Sequence, residues 1–140
     1  MKYYDWVKID KIDSVWDGDS FRATINSGGI YSRNIAFRIA GIDTPEIRGA
    51  KCDEEKRKAL EARDVVRKLF ADAIDIRVKH HHKNKDGEII AKKGKYGRFL
   101  VDVFVKPKGH HVNHINVAED LIARELARNY NGGTREGWCE

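Results

Sequence analysis

Ile35-Ala36-Phe37-Arg38-Ile39-Ala40-Gly41-Ile42-Asp43-Thr44-Pro45-Glu46 is the stretch on which the reading of the fold turns. Its first five residues alternate Ile35, Phe37 and Ile39 with Ala36 and Arg38, the period-two pattern of a half-buried strand. Its far end is a corner. Pro45 fixes its own φ and restricts Thr44 to extended geometry, so Asp43 to Glu46 holds two carboxylates a few ångströms apart. Two acids at one corner repel, and a divalent cation or a nearby arginine would relieve them; Arg38, five residues upstream on the same strand, is a candidate.

Working outward, Val7 and Ile9 alternate with polar neighbours, as do Phe21, Ala23 and Ile25. Asn26-Ser27-Gly28-Gly29 supplies turn chemistry before the quoted strand. Beyond the corner the period changes: Ala59, Ala62, Val66, Leu69 and Ala73 fall at spacings of three and four, and Asp53-Glu54-Glu55 puts acid in a first turn, which predicts an amphipathic helix over 53–73. Ile74, Ile76 and Val78 read as a strand, and Phe99, Val101, Val103 and Val105 as another. Asn116-Val117-Ala118-Glu119 resembles a capping box opening a helix with Val117, Leu121, Ile122 and Leu126 on its apolar face. With no repeat and no linker, residues 1–140 read as one domain. The order of three strands, helix, two strands, helix suits an α+β fold: a five-stranded OB-fold β-barrel with an inserted helix and a C-terminal helix.

Composition narrows the function classes. The chain has 140 residues, 41% hydrophobic and 35% charged, enough apolar content for a core and too much for a disordered tail. Its 27 Lys and Arg against 22 Asp and Glu leave +5 and a pI of about 9.2, which favours an anionic partner. Nucleic acid leads and an acidic membrane surface follows. No run approaches the ~18 apolar residues of a membrane span, and Met1 to Trp6 lacks a signal-peptide core. The chain as written is expected in the cytoplasm, or in a secreted or periplasmic setting if a leader has been removed. Cys52 and Cys139 match no zinc-site spacing, and without an export signal two reduced thiols are favoured over a bridge.

Three short segments combine polar groups with a turn: Asp17-Gly18-Asp19-Ser20, Arg38 through Asp43-Thr44-Pro45-Glu46, and Lys95-Tyr96-Gly97-Arg98. Together they resemble the staphylococcal nuclease (thermonuclease) family. Val15-Trp16-Asp17-Gly18-Asp19-Ser20 stands where that family has valine-x-aspartate-glycine-aspartate-threonine, and the other two segments look like its second and third motifs. The resemblance runs from about Val7 to Tyr130.

The resemblance implies a Ca²⁺-dependent phosphodiesterase that cleaves DNA and RNA at the 5′ P–O bond and leaves 3′-phosphate ends. Asp19 and Asp43 would be metal ligands, with the Thr44 carbonyl as a third oxygen. Glu46 would be the general base, or would orient the attacking water. Arg38 and Arg98 would grip the scissile phosphate, Lys95 and Tyr96 the neighbouring one, and Tyr130 would stack on the base. Ser20 departs mildly from the threonine, and Asn131-Gly132-Gly133 begins an irregular tail where a third helix would stand. The alternative is a non-catalytic nucleic-acid-binding module on the same barrel, which would have no use for acids placed where phosphate must sit. A monomer without membrane contact is expected.

Three further features have simpler readings. His80-His81-His82 and His110-His111 with His114 are read as solvated loop histidines. Lys83 through Lys95 reads as a basic loop beside the site. Trp6, Trp16 and Phe37 are expected in the core or against the barrel wall.

Overall fold

The computed structural model describes residues 6–27, 30–81, 97–109 and 113–140. Nine strands and two helices follow in the order β1 (Trp6–Lys8), β2 (Lys11–Asp17), β3 (Ser20–Ser27), β4 (Ile30–Ile39), β5 (Ile42–Asp43), α1 (Asp53–Ala71), β6 (Ala73–His80), β7 (Phe99–Pro107), β8 (Ile115–Asn116), α2 (Val117–Ala123) and β9 (Arg128–Asn129). The class is α+β. The main sheet runs β1-β6-β7-β4-β3-β2 with β8 on β7, and β5 and β9 form a separate pair. Only β4 and β7 are parallel among these pairings. The two end strands are consecutive in the chain: Ile9 N–H donates to Ile76 O and Asp10 N–H to Thr24 O, carrying the pairing from β6 to β3 across one bend. The strand ladders among the described residues do not close into a ring.

Beyond the five expected strands stand the short β5, β8 and β9 and the longer β2. Its register runs Ile12↔Ala23, Ser14↔Arg22, Val15↔Phe21, Asp17↔Ser20, so Asp13 and Trp16 are each one residue more than the partner strand supplies. Two β-bulges in seven residues break the alternation that would have announced a strand. The turn expected at Gly28-Gly29 lies outside the described residues, although the ladder runs up to Ser27↔Ile30.

α1 ends at Ala71 rather than Ala73: Asp72 caps it, its N–H donating to Lys68 O, and Ala73 opens β6. Ala59, Ala62, Val66 and Phe70 are the buried apolar residues of α1; Phe70, rather than Leu69, completes the stripe against Phe21. Those alanines permit a close approach. A Cβ on Gly18 would stand 2.9 Å from the Ala62 Cβ, so the β2–β3 turn can rest against α1 only as glycine. α2 opens on Asn116, whose side chain accepts from Glu119 N–H as expected. It stops early because Glu125 takes a left-handed φ of 62°, and Leu126 N–H then bonds Leu121 O as Leu126 turns into the core.

Cys52 and Cys139 are joined in a disulfide, against the expectation of free thiols. Cys52 is the N-cap of α1, and the irregular tail crosses back to meet it. Arg128 holds that tail, donating to Gly137 O at 2.8 Å with its guanidinium 3.8 Å from the Trp138 ring centroid. Such contacts between residues far apart in the chain leave no local pattern. No described helix is long and apolar enough to cross a membrane.

Candidate active site

The Asp17–Ser20 turn meets the end of β4 because Ser20 pairs with Arg38, and Ile39 N–H donates to Asp19 O at 2.8 Å. This register sets three side chains in a row. Arg98 Nη1 donates to Ser20 Oγ at 2.7 Å, and Ser20 Oγ donates to Asp19 Oδ1 at 3.0 Å. On the other oxygen, Asp19 Oδ2 faces Arg38 Nη2 at 3.4 Å, while the Arg38 guanidinium also donates to Ile42 O at 3.1 Å and Ile39 O at 3.3 Å. Two arginines sixty positions apart in sequence thus converge on the Asp19–Ser20 pair.

The acidic corner is held from two sides. Asp43 pairs with Arg128 in the short β5–β9 ladder, and both Asp43 and Thr44 are buried. Downstream, the buried Glu55 carboxylate accepts from Glu46 N–H at 3.1 Å and Lys51 N–H at 2.9 Å, tying the 46–51 loop to the first turn of α1. A Cβ on Gly49 would collide with Glu46 Oε2, so glycine there leaves the Glu46 side chain its place. The repulsion between Asp43 and Glu46 is relieved by Arg135, not by Arg38: Arg135 Nη1 lies 3.5 Å from Asp43 Oδ1 and 3.4 Å from Glu46 Oε1. Burial alone would lower the Arg135 pKa, but a hydrogen bond with Tyr130 and the charge of Asp43 raise it. Its guanidinium stands 5.2 Å from the Tyr130 ring centroid, and Tyr130 N–H donates to Gly41 O.

Asp17 joins this charge cluster. Burial raises its pKa, and the negative charges of Asp19 and then Glu46 raise it further, against Ile47 N–H and Arg98. Burial is the larger cause, and the neighbouring carboxylates add to it. Among the described residues no three His, Cys, Asp or Glu side chains gather into a metal-holding group. The donors implied by the resemblance, Asp19, Asp43 and the Thr44 carbonyl, are all oxygen, a set that fits a hard cation completed by water, and the crowded carboxylates supply charge for it to neutralise.

Asp19, Arg38, Asp43, Thr44, Glu46, Arg98 and Tyr130 are thus brought to one region, and Arg135, Asp17 and Glu55 are added to it. Lys95 and Tyr96 lie outside the described residues, as do His82, His110, His111 and the run from Lys83. The remaining histidines are not simply solvated: His80 stands 5.8 Å from Phe99 between ring centroids, His81 Nδ1 lies 3.0 Å from Asp102 Oδ1, and His114 Nε2 lies 2.7 Å from Asp75 Oδ2. Of the three aromatics expected in the core or against the barrel wall, Phe37 is fully buried and Trp6 lies on the Phe104 ring of β7, 4.8 Å between centroids, while Trp6 and Trp16 remain 37% and 45% exposed. Glu55 and Arg135, missed from sequence, carried no motif, since each acts through a partner distant in the chain or on another element.

None of the curated proteins matches this chain. The family model for staphylococcal nuclease homologues matches residues 36–137, which include the acidic corner, Arg98, Tyr130 and Arg135. The Asp17–Ser20 turn precedes the match and is joined to it by the Ser20↔Arg38 pairing. With the match spanning well over half of its length, the chain belongs to the staphylococcal nuclease homologue family.

Proposed function

We propose that this protein is a Ca²⁺-dependent phosphodiesterase acting on DNA and RNA, cleaving the 5′ P–O bond to leave a 3′-phosphate. The observation that supports it most is the convergence of Arg38 and Arg98 on the Asp19–Ser20 pair, beside a carboxylate corner. A phosphodiester gains a second negative charge in its pentacoordinate transition state, and catalysis follows from cationic groups placed where that charge develops. Arginine suits this task because its planar fork can bond two phosphate oxygens and stays charged at any working pH.

In this reading Arg38 and Arg98 exchange their bonds to Asp19 and Ser20 for bonds to the phosphate. Glu46 accepts a proton from the attacking water, and its main-chain anchorage to Glu55 fixes where that carboxylate stands. Asp19, Asp43 and the Thr44 carbonyl would hold the cation, which supplies further charge neutralisation on the phosphate oxygens. Lys95 and Tyr96 would contact the next phosphate, and Tyr130 a base. The fold is read as an OB-type barrel and the working form as a monomer without membrane contact. The Cys52–Cys139 bridge supports work in an oxidising compartment rather than the cytoplasm.

A second reading, a non-catalytic nucleic-acid-binding module, draws on the chain's net charge of +5. Cleavage of single-stranded DNA with Ca²⁺, with Mg²⁺ and with chelator separates the two. Ca²⁺-dependent release of 3′-phosphate ends, reduced about 10²-fold or more in Glu46→Gln and Arg98→Ala, is expected for the enzyme. Salt-sensitive binding without cleavage under any condition would establish the binding module instead.

A further inference from the structure

Trp16 is one of the two residues at which β2 departs from regular pairing. It is the extra residue of the bulge between Val15↔Phe21 and Asp17↔Ser20, and where Val15 is buried, the Trp16 indole is 45% exposed. A bulge re-aims a side chain that a regular strand would place by alternation, and bulges gather beside functional sites. Leaving so large an apolar ring in water forgoes the burial that other core aromatics obtain, so its position calls for a partner that covers it.

Its surroundings define that partner. Trp16 lines an open groove of about 510 Å³ whose other walls set Arg98, Arg48 and Arg22 against Asp17 and Glu46. The Arg22 guanidinium stands 4.9 Å from the indole centroid and is anchored by donating to Asn34 O at 2.9 Å. An aromatic ring braced by arginine, in a groove with two further arginines, matches a ligand that joins a flat π-system to an anion. A nucleotide has that form, and base–aromatic stacking is tolerant of which base is present.

The placement also has a direction. Tyr130 lines a different groove, of about 690 Å³, shared with Arg38 and Gly41, whereas Arg98 and Glu46 line the Trp16 groove. The two arginines assigned to the scissile phosphate thus each border a separate aromatic groove.

We propose that Trp16, braced by Arg22, is a stacking platform for an unpaired nucleobase on the side of the scissile phosphate opposite Tyr130. This rests on the phosphodiesterase reading for its orientation, though not for the binding itself. A strand engaged by both grooves has its bases unstacked on either side of the phosphate, which selects single strands over duplex.

The test uses the full disulfide-bonded chain and a short fluorescein-labelled oligothymidylate, read by anisotropy and by cleavage. Trp16→Ala is expected to weaken binding and raise KM about ten- to a hundredfold, with a smaller change in kcat. Trp16→Phe, which keeps a π-face, should recover most of the loss, and far-UV circular dichroism should show both variants folded. An oligonucleotide with abasic sites in place of its bases should not distinguish Trp16→Ala from wild type. Equal binding of oligothymidylate by wild type and Trp16→Ala, or an equal loss on the abasic strand, overturns the proposal. If no form cleaves but Trp16→Ala still loses affinity only for the base-bearing strand, the platform stands and the phosphodiesterase reading falls.

Discussion

Arg135 reaches Glu46 across 89 residues of chain, its Nη1 3.4 Å from Oε1, and the same nitrogen is shared with Asp43. The tail that carries it is fastened by the disulfide from Cys139 to the N-cap of the helix whose Glu55 holds the Glu46 backbone. One covalent bond thus closes a circuit around the acidic corner, and a tail arginine acts as its built-in counter-charge.

Removing that counter-charge should strengthen cation binding. Arg135 is about half exposed and its ion pairs are long, so the effect is modest: Arg135→Ala is expected to bind Ca²⁺ about two- to fivefold more tightly in a calorimetric titration. Weaker binding would mean that the arginine helps assemble the carboxylates rather than competing for them.

The bridge should matter for stability as well as placement. It closes a loop between residues 87 apart, which in the chain-entropy account is worth roughly 4–5 kcal/mol. Cys139→Ser, or reductant, should therefore lower the urea midpoint markedly. An unchanged midpoint would show that the tail does not constrain the unfolded chain.

Gly18 tests the contact between the turn and α1. Gly18→Ala puts a methyl 2.9 Å from the Ala62 Cβ, an overpacking expected to cost about 1–3 kcal/mol and to shift Asp19. Adding Ala62→Gly should restore the turn geometry and part of the activity, while leaving a helix-propensity loss of about 1 kcal/mol. Failure of the double variant to recover activity would place the damage elsewhere.

Two aspartates should give opposite pH signatures. The folded pKa of Asp17 is raised above 3.8, so the folded state holds a proton that the unfolded chain gives up, and stability falls as pH climbs from about 3.8 through the folded value. Asp17→Asn should raise the melting temperature near neutral pH and leave it unchanged well below that window. For Asp75 burial pushes the pKa up, but hydrogen bonds from His114 and Arg77 outweigh it and hold the carboxyl below 3.8. Its stabilisation is present above that value and is lost as pH falls through the folded one, so Asp75→Asn should flatten the acid limb of the stability curve. Parallel curves for either variant and wild type would contradict the assignment.

The elements legible beforehand were those with a local cause. β7 alternates cleanly, β4 does so from Ile35 and β6 from Ile76, whereas Ile74 is exposed beside a register shift; α1 shows its period and its acidic first turn, and Asn116 caps α2 from three residues away. β2 was not legible, because Asp13 and Trp16 each add a residue and destroy the count of two. The outward turn of Trp16 was lost with it, and so was the groove it lines.

By itself the sequence determined where the regularly patterned strands and the two helices form, where the chain must turn at Pro45, and which three segments carry the family's polar residues. Those properties depend on backbone sterics and side-chain spacing within a few residues, so they are written locally. Only the tertiary structure decided which charges neutralise which. Arg38 took Asp19 rather than the adjacent corner, Arg98 reached Ser20 across 78 residues, and Arg135 returned to Asp43 and Glu46 on a tail held by Cys139. Ion pairs and disulfides depend on distance in space, and that distance exists only once the core has packed and brought remote segments together.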